Sequence, residues 1–319
     1  MSIRIIKKGL LDTIQDYGRY GYQHLGINPN GVMDFISMRL ANALTGNSEQ
    51  EAVIEMHWPA PVIQFQHDTC FAITGASVIA HLDDTVLVEN NKKCFAKAGS
   101  QLSFKKILSG ARIYMAVQGG FDLQPWLKSN STHVQLNYGG AILKSGDTLS
   151  YKYSSAYAVS ANGSLPWHIQ SPINLSDKII HFTTGKEWLL IDESGRSRFQ
   201  QSLYQIDQNS NRMGYRLHGE AVHLSVATEL ISTAVTKGTI QLLPNGQSLI
   251  LMADHQTTGG YPRMGHVISA DIPKLAQFAP GDTIQFKEIS MTEAHNRLRA
   301  LNLHLKQIEI ACKLRMHDR

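Results

Sequence analysis

Short apolar runs, each closed off by Gly, Pro, Asn or Asp, recur along almost the whole sequence. They confine it to a mainly β fold. Residues 61–65 (PVIQF), 70–74 (CFAIT), 112–117 (RIYMAV) and 248–252 (SLILM) are examples. Each is too brief for a helix and rich in β-branched or aromatic side chains, the pattern of strands in barrels and sandwiches. Helices are few. Residues 34–45 begin on a capping Asp34 and stop at Gly46-Asn47, with Ile36, Leu40 and Leu44 on one face. A second helix is expected after Ser290, which has capping-box spacing to Glu293. Ala294, Leu298, Leu301, Leu305, Ile308 and Cys312 follow at steps of four and three, the stripe of a core-packing face. The basic tail 313–319 is expected to be solvated and frayed.

The chain also echoes itself. YMAVQGGF (114–121) ends a strand in Gly-Gly-aromatic, and LMADHQTTGGY (251–261) does the same. SGDTLSY (145–151) follows the first and PGDTIQF (280–286) the second. Two matched pairs in the same order point to a duplicated β-unit, although Gly-Asp-Thr is also a common turn before a strand. The Ser/Ala/Asn/Pro-rich stretch 155–172 reads as the seam. The expected organisation is an N-terminal half (1–160, carrying helix 34–45), a C-terminal half (161–289), and a C-terminal amphipathic helix with a basic tail (290–319).

Composition removes several classes of function. Of 319 residues, 43% are hydrophobic and 18% charged, which suits a folded protein. A net charge of +4 with scattered basic side chains gives no phosphate-tracking stripe, so nucleic acid is not expected as a partner. Nor is a membrane, because no apolar run approaches the roughly 20 residues needed to cross a bilayer. The N-terminus turns polar too soon for a signal peptide. The cysteines are odd in number (Cys70, Cys94, Cys312) and include no CxxC pair, as expected of reduced thiols in the cytoplasm.

Familiar catalytic motifs are missing. Thr184-Gly185-Lys186 lacks the upstream glycine of a phosphate loop, and GxSxG and HExxH do not occur. The histidines are dispersed, and His218 and His223 are wrongly spaced for one face of a helix or strand, so no metal site is expected. No Met-Lys-Met biotin acceptor is present.

Four stretches are dense in glycine and polar side chains: 9–34, 211–219, 232–241 and 254–265. The last, DHQTTGGYPRMG, follows an apolar run. Its glycines could simply turn the chain, or could let backbone N–H groups approach a ligand. Asp16 and Arg19 could pair with each other or present charge to a ligand.

Together the segments GLLDTIQDYGRYGYQHLG, NGVMD, NRMGYRL, KGTIQ, DHQTTGGYPRMG and LAQFAPGD resemble the carboxyltransferase-type family of urea carboxylase and allophanate hydrolase subunit 2. That family includes KipA-like proteins and the C subunit of bacterial ATP-dependent 5-oxoprolinase. The resemblance runs in order from about Gly9 to Phe286. It implies two cyclophilin-like β-barrel halves and a KipI-like partner subunit. The family pattern has Thr at Asp12, Ser or Gly near Asn30, Ala at Val32 and often Arg at His255. A neutral histidine at that last position still donates one hydrogen bond.

The family's substrates share an N–C=O group. Attack on it gathers negative charge on oxygen, which preorganised donors stabilise. The resemblance therefore marks Thr257, Thr258, Arg212 and Asp254 as catalytic candidates. Asp16, Arg19, Asp34, Gln241, Gln256, Gly259, Gly260, Tyr261 and Arg263 are substrate-binding candidates. Arg212 and Arg19 would be carboxylate clamps; Asp16 and Asp254 would accept from an amide N–H, orient an arginine or act as base. The implied function is that of the C subunit of a 5-oxoprolinase, which opens the lactam to glutamate. A KipI-like subunit and a LamB/YcsF-type subunit would be its partners, and ATP would be handled by a partner. The alternatives are a carboxyltransferase acting with biotin on another chain, and a KipA-like protein that sequesters a kinase inhibitor.

Overall fold

A computed structural model of the chain describes residues 1–152, 162–225 and 230–317, and it is mainly β. The chain divides into two compact units. The first contains Met1–Arg19, Asp34–Ile173 and Asn302–Arg319; the second contains Tyr20–Met33 and Asn174–Leu301. The division follows packing rather than chain order: Tyr20–Met33 lies with the second unit, and the C-terminal helix is divided between the two.

The first unit has strands β1 (Ser2–Lys7), β2 (Asp12–Gln15), β3 (Val53–His57), β4 (Val62–Phe65), β5 (Thr69–Leu82), β6 (Val86–Val88), β7 (Lys93–Ala96), β8 (Gln101–Val117), β9 (Thr132–His133), β10 (Tyr138–Gly139), β11 (Thr148–Ser150) and β12 (Gly163–Ser164). Ten of these make one sheet, and β9 pairs with β10 apart from it. The antiparallel β5/β8 pair is its backbone, in register from Phe71↔Val117 to Leu82↔Leu102. The sequence pattern ended the first of these strands at Thr74. Instead Gly75, at φ 88°, takes up a bulge and the strand continues to Leu82. Of the expected linker, 155–161 lies outside the described residues. Gly163 and Ser164 pair with Phe95 and Cys94, so that part of it is sheet.

Helix α1 (Phe35–Thr45) fills the predicted span. Asp34 caps it by accepting from the Ser37 N–H, and Gly46 ends it at φ 75°. Every residue from Ile36 to Thr45 is buried, so the helix is enclosed on all sides rather than on one face.

The second unit is a closed seven-stranded barrel. Its strands are β13 (Ile179–Thr184), β14 (Leu203–Ile206), β15 (Gly214–His218), β17 (Thr239–Leu242), β18 (Ser248–Leu251), β20 (Arg263–Val267) and β21 (Thr283–Glu288), in ring order β13-β20-β17-β18-β15-β14-β21. An odd ring cannot alternate direction all the way round, and β13 and β21 form the one parallel pair. Phe182, Trp188, Phe199, Tyr204 and Phe286 fill it, with Phe199 stacked on Phe286 at 4.6 Å. Outside the ring, β16 (Thr233–Ala234) pairs with β19 (Thr258–Gly259). Helices α2 (Glu193–Gln201) and α3 (Ile272–Ala276) complete the unit.

Helix α4 (Met291–His317) starts where expected, with the Glu293 N–H on Ser290 Oγ at 3.1 Å. Glu293 itself turns to Arg297 rather than back to the cap. The tail that was expected to fray is helical through His317. The predicted stripe holds, with Ala294, Leu305 and Cys312 buried. All three cysteines are free and buried. Among the described residues, no helix is long and apolar enough to cross a membrane.

Candidate functional site

In the second unit the sequence after β18 turns polar at Asp254. Arg212, just before β15, meets it there. Arg212 Nε reaches Asp254 Oδ2 and Nη2 reaches Oδ1, both at 3.0 Å, and the backbone closes the same contact with Asp254 N–H on Arg212 O at 2.8 Å. Both side chains are buried, 3% and 1% exposed. Arg212 Nη2 also donates to Gly31 O at 2.7 Å. The guanidinium thus ties the loop to the segment before α1 and does not present an open fork for a carboxylate, contrary to the clamp expected from sequence.

Asn30 and Asn28 complete this centre. Asn30 sits in the left-handed region at φ 57°, which asparagine enters more readily than most residues, and its Nδ2 donates to Asp254 Oδ1 at 2.8 Å. Asn28 Nδ2 donates to the carbonyls of Asp254 and His255. Asp254 therefore accepts three side-chain hydrogen bonds on its carboxylate, which makes it an organiser of the loop rather than a free base. Lys237 donates to Val32 O at 2.9 Å and holds the same segment.

His255, next to Asp254 in the chain, is the titratable imidazole at this centre. Its Nδ1 lies 2.6 Å from Gln256 O. A carbonyl only accepts, so Nδ1 carries the proton and the neutral ring has its lone pair at Nε2. Burial, the larger effect, and the nearby Lys237 charge lower its pKa. His266 is likewise lowered by burial and by His255. Sequence reasoning missed Asn28, Asn30 and Lys237 as site members; it noted His255 as a hydrogen-bond donor, and the structure gives the Nδ1 proton to Gln256 O. The Asn-Pro-Asn-Gly turn was the available signal, since such turns favour left-handed asparagine.

Beyond His255 the loop is a surface feature. Gln256, Thr258, Gly260 and Tyr261 are exposed, Thr257 is partly so, and Gly259 is buried. Gly259 lies against Gln241, where an added Cβ would come 2.6 Å from Gln241 Nε2. Arg263 is engaged with Glu187, Nη2 to Oε1 at 3.0 Å, and with Thr233 Oγ1 through Nη1 at 2.8 Å. That pairing, with Glu187 3% exposed, leaves Arg263 as a brace.

Three candidates belong to the first unit and are committed there. Asp16 accepts from Ser129 Oγ and Ser131 Oγ at 2.6 Å, from Asn130 N–H at 2.6 Å and from Gly18 N–H at 2.8 Å. Arg19 is 1% exposed, with its guanidinium carbon 5.1 Å from the Trp126 ring and 5.5 Å from the Tyr138 ring, and it donates to Ser131 O. Asp34 is fully buried, and both of its oxygens accept from Ser37 as the α1 cap. These are knots that hold loops and a helix end, not open ligand groups. Among the described residues no cluster of three or more His, Cys, Asp or Glu side chains could hold a metal ion.

Comparison with known proteins agrees with this architecture. The family described as "Carboxyltransferase domain, subdomain A and B" matches residues 25–288. The C subunit of Escherichia coli 5-oxoprolinase is 36% identical over 92% of this chain and 93% of its own length. The C subunit of Haemophilus influenzae 5-oxoprolinase is 35% identical over 93% of this chain and 94% of its own. Among solved structures, the urea amidolyase of K. lactis superposes with a TM-score of 0.86 at 28% identity, covering 96% of this chain and 20% of that one.

Proposed function

This chain belongs to the carboxyltransferase-domain family, subdomains A and B, and from that membership we propose that it is the C subunit of an ATP-dependent 5-oxoprolinase acting in the cytoplasm. One observation carries the reading. The chain corresponds over almost its whole length with such a subunit, 92% of it aligning to 93% of the Escherichia coli protein, whereas it matches only 20% of the urea amidolyase. Its counterpart is a separate subunit in the first comparison and one part of a larger enzyme in the second.

In this reading the Arg212–Asp254–Asn30 centre fixes the start of the loop, and the loop offers hydroxyls at Thr257 and Thr258 and a bare backbone at Gly260. Such donors suit the oxygen of an N–C=O group as negative charge gathers on it. His255, neutral and with a lone pair at Nε2, suits the removal of a proton from the attacking water. ATP is handled by a partner, for which a KipI-like chain and a LamB/YcsF-type chain are the candidates. Biotin-dependent carboxyl transfer to a urea-like substrate is the second reading, favoured by the superposition on urea amidolyase. It needs biotin carried on another chain.

The test is 5-oxoproline-dependent ATP hydrolysis, with the chain alone and then co-purified with both partners. Turnover confined to the assembled complex is expected. A stable complex that hydrolyses no ATP in response to 5-oxoproline would overturn the reading in favour of carboxyl transfer or sequestration.

A further inference from the structure

Gln241 is fully buried, and neither Oε1 nor Nε2 of its carboxamide has a hydrogen-bond partner. Among the described residues it is the one buried carboxamide with both ends unpaired. Gln15, by contrast, lacks a partner only at Oε1, its Nε2 donating to Thr13 and Thr132. A buried donor or acceptor left without a hydrogen bond loses its hydration and gains nothing in return. Two such groups on one residue call for an explanation, and a role in binding is one.

The placement of Gln241 is specific. Its neighbours Ile240 and Leu242 belong to the apolar core of the barrel. Since β-strand side chains alternate, Gln241 projects from the opposite face. The bulge here lies in the facing strand β20, where Met264 is the extra residue between Gly265 and Arg263, the partners of Ile240 and Gln241. The β19 loop lies against its amide. The point 2.6 Å from Gln241 Nε2 where a Gly259 Cβ would stand is also 3.4 Å from Gln256 Nε2 and from Val235 Cγ1. The cover is slight: a two-residue ladder of β16 with β19, the Val235 N–H on Thr257 O at 3.1 Å, and Arg263 on Thr233. Thr233, Ala234 and Thr258 on that ladder are exposed.

We propose that the Gln241 carboxamide recognises the cis N–H/C=O edge of a cyclic amide, which enters as the β16/β19 ladder lifts. A carboxamide presents a donor and an acceptor along one edge. A lactam, whose ring holds N–H and C=O cis, meets that edge with two parallel hydrogen bonds. An open-chain trans amide offers only one of the two groups to the same edge. Ring opening converts the pair into an ammonium and a carboxylate, so the complementarity is lost in the product and release is favoured. The inference rests on the oxoprolinase reading for the identity of the lactam.

The test uses the assembled complex and the variants Gln241→Leu and Gln241→Met. Loss of both hydrogen bonds is expected to raise KM for 5-oxoproline at least about tenfold. The thermal midpoint is expected to hold or rise, because an apolar side chain replaces an unsatisfied buried amide. A merely structural glutamine would give the opposite split, with a lower midpoint and an unchanged KM. If wild-type complex turns over 5-oxoproline and both variants keep its KM, the Gln241 assignment falls while the function stands. If wild-type complex shows no turnover, the function reading falls, and calorimetric binding of 5-oxoproline and 2-pyrrolidone decides the assignment. Binding to wild type that is lost in Gln241→Met supports it, and no binding, or equal binding, overturns it. Should Gln241→Leu fail to fold, Gln241→Glu keeps the shape but offers acceptors only, and the same rise in KM is expected.

Discussion

Arg212 and Asp254 meet through a two-pronged ion pair, both N–O distances 3.0 Å, in surroundings that leave the two side chains 3% and 1% exposed. Removing one partner strands a buried charge. Arg212→Met or Asp254→Leu is therefore expected to cost about 3–5 kcal/mol, read from urea denaturation. The double substitution should recover part of that loss, with a coupling of about 1 kcal/mol or more. Asn30→Ala should cost about 1 kcal/mol, the value of one hydrogen bond to a charged group discounted for its neighbours. Additive losses in the double variant would mean the pair is not coupled.

Asp12 gives the first unit a distinctive pH response. It is 1% exposed, accepts from the Gly9 N–H at 2.6 Å through Oδ2, and has no partner at Oδ1. Burial pushes its pKa up to about 6 from an ordinary 3.8. The folded state thus favours the neutral acid. Stability from this group is complete below pH 3.8, falls as pH rises, and is gone above about pH 6. The span is worth about 3 kcal/mol at most. Asp12→Asn should raise the unfolding midpoint at about pH 8 and flatten the curve across the interval between the two pKa values. A midpoint under those alkaline conditions equal to or below wild type would refute this.

His255 and His266 act in the opposite sense in the second unit. Burial lowers both pKa values below the ordinary 6.5, so the folded state favours neutral rings. Their contribution is complete above pH 6.5 and is lost as pH falls and the unfolded chain takes up protons. His255→Gln should shallow the acid limb of the stability curve and leave the region above about pH 7 little changed. NMR titration of the ring should find His255 neutral at pH 6.5, its ordinary midpoint.

Arg19 is expected to matter for stability and not for substrate affinity. Its flat guanidinium lies beside Trp126 and Tyr138, a geometry that an ammonium group does not reproduce. Arg19→Lys should lower stability by about 1–2 kcal/mol, while KM for 5-oxoproline in the complex stays within about twofold. A large rise in KM with unchanged stability would restore the role of carboxylate clamp suggested by sequence.

The sequence by itself determined the β-rich architecture, the α1 and α4 helices with their caps, and the loop at Asp254–Gly265. All of these follow from local rules: short apolar runs between turn residues, Asp34 and Ser290 at helix starts, and Gly46 at a helix end. It also marked Arg212, Asp254 and Gln241 through motif resemblance. Tertiary structure decided which candidates are open and which are committed. Asp16, Arg19 and Asp34 look like ligand groups in a glycine-rich string. Asp16 and Arg19 are instead engaged by partners far away in the chain, although Arg19 Nε makes no hydrogen bond, and Asp34 is spent on the local cap at Ser37. Motif resemblance marks Gln241, but only the fold shows that its amide is enclosed, against Gly259, and unpaired. Hydrogen-bond satisfaction is a property of long-range contacts. Residue type and spacing supply the donors and acceptors, but the fold decides which of them remain unpaired.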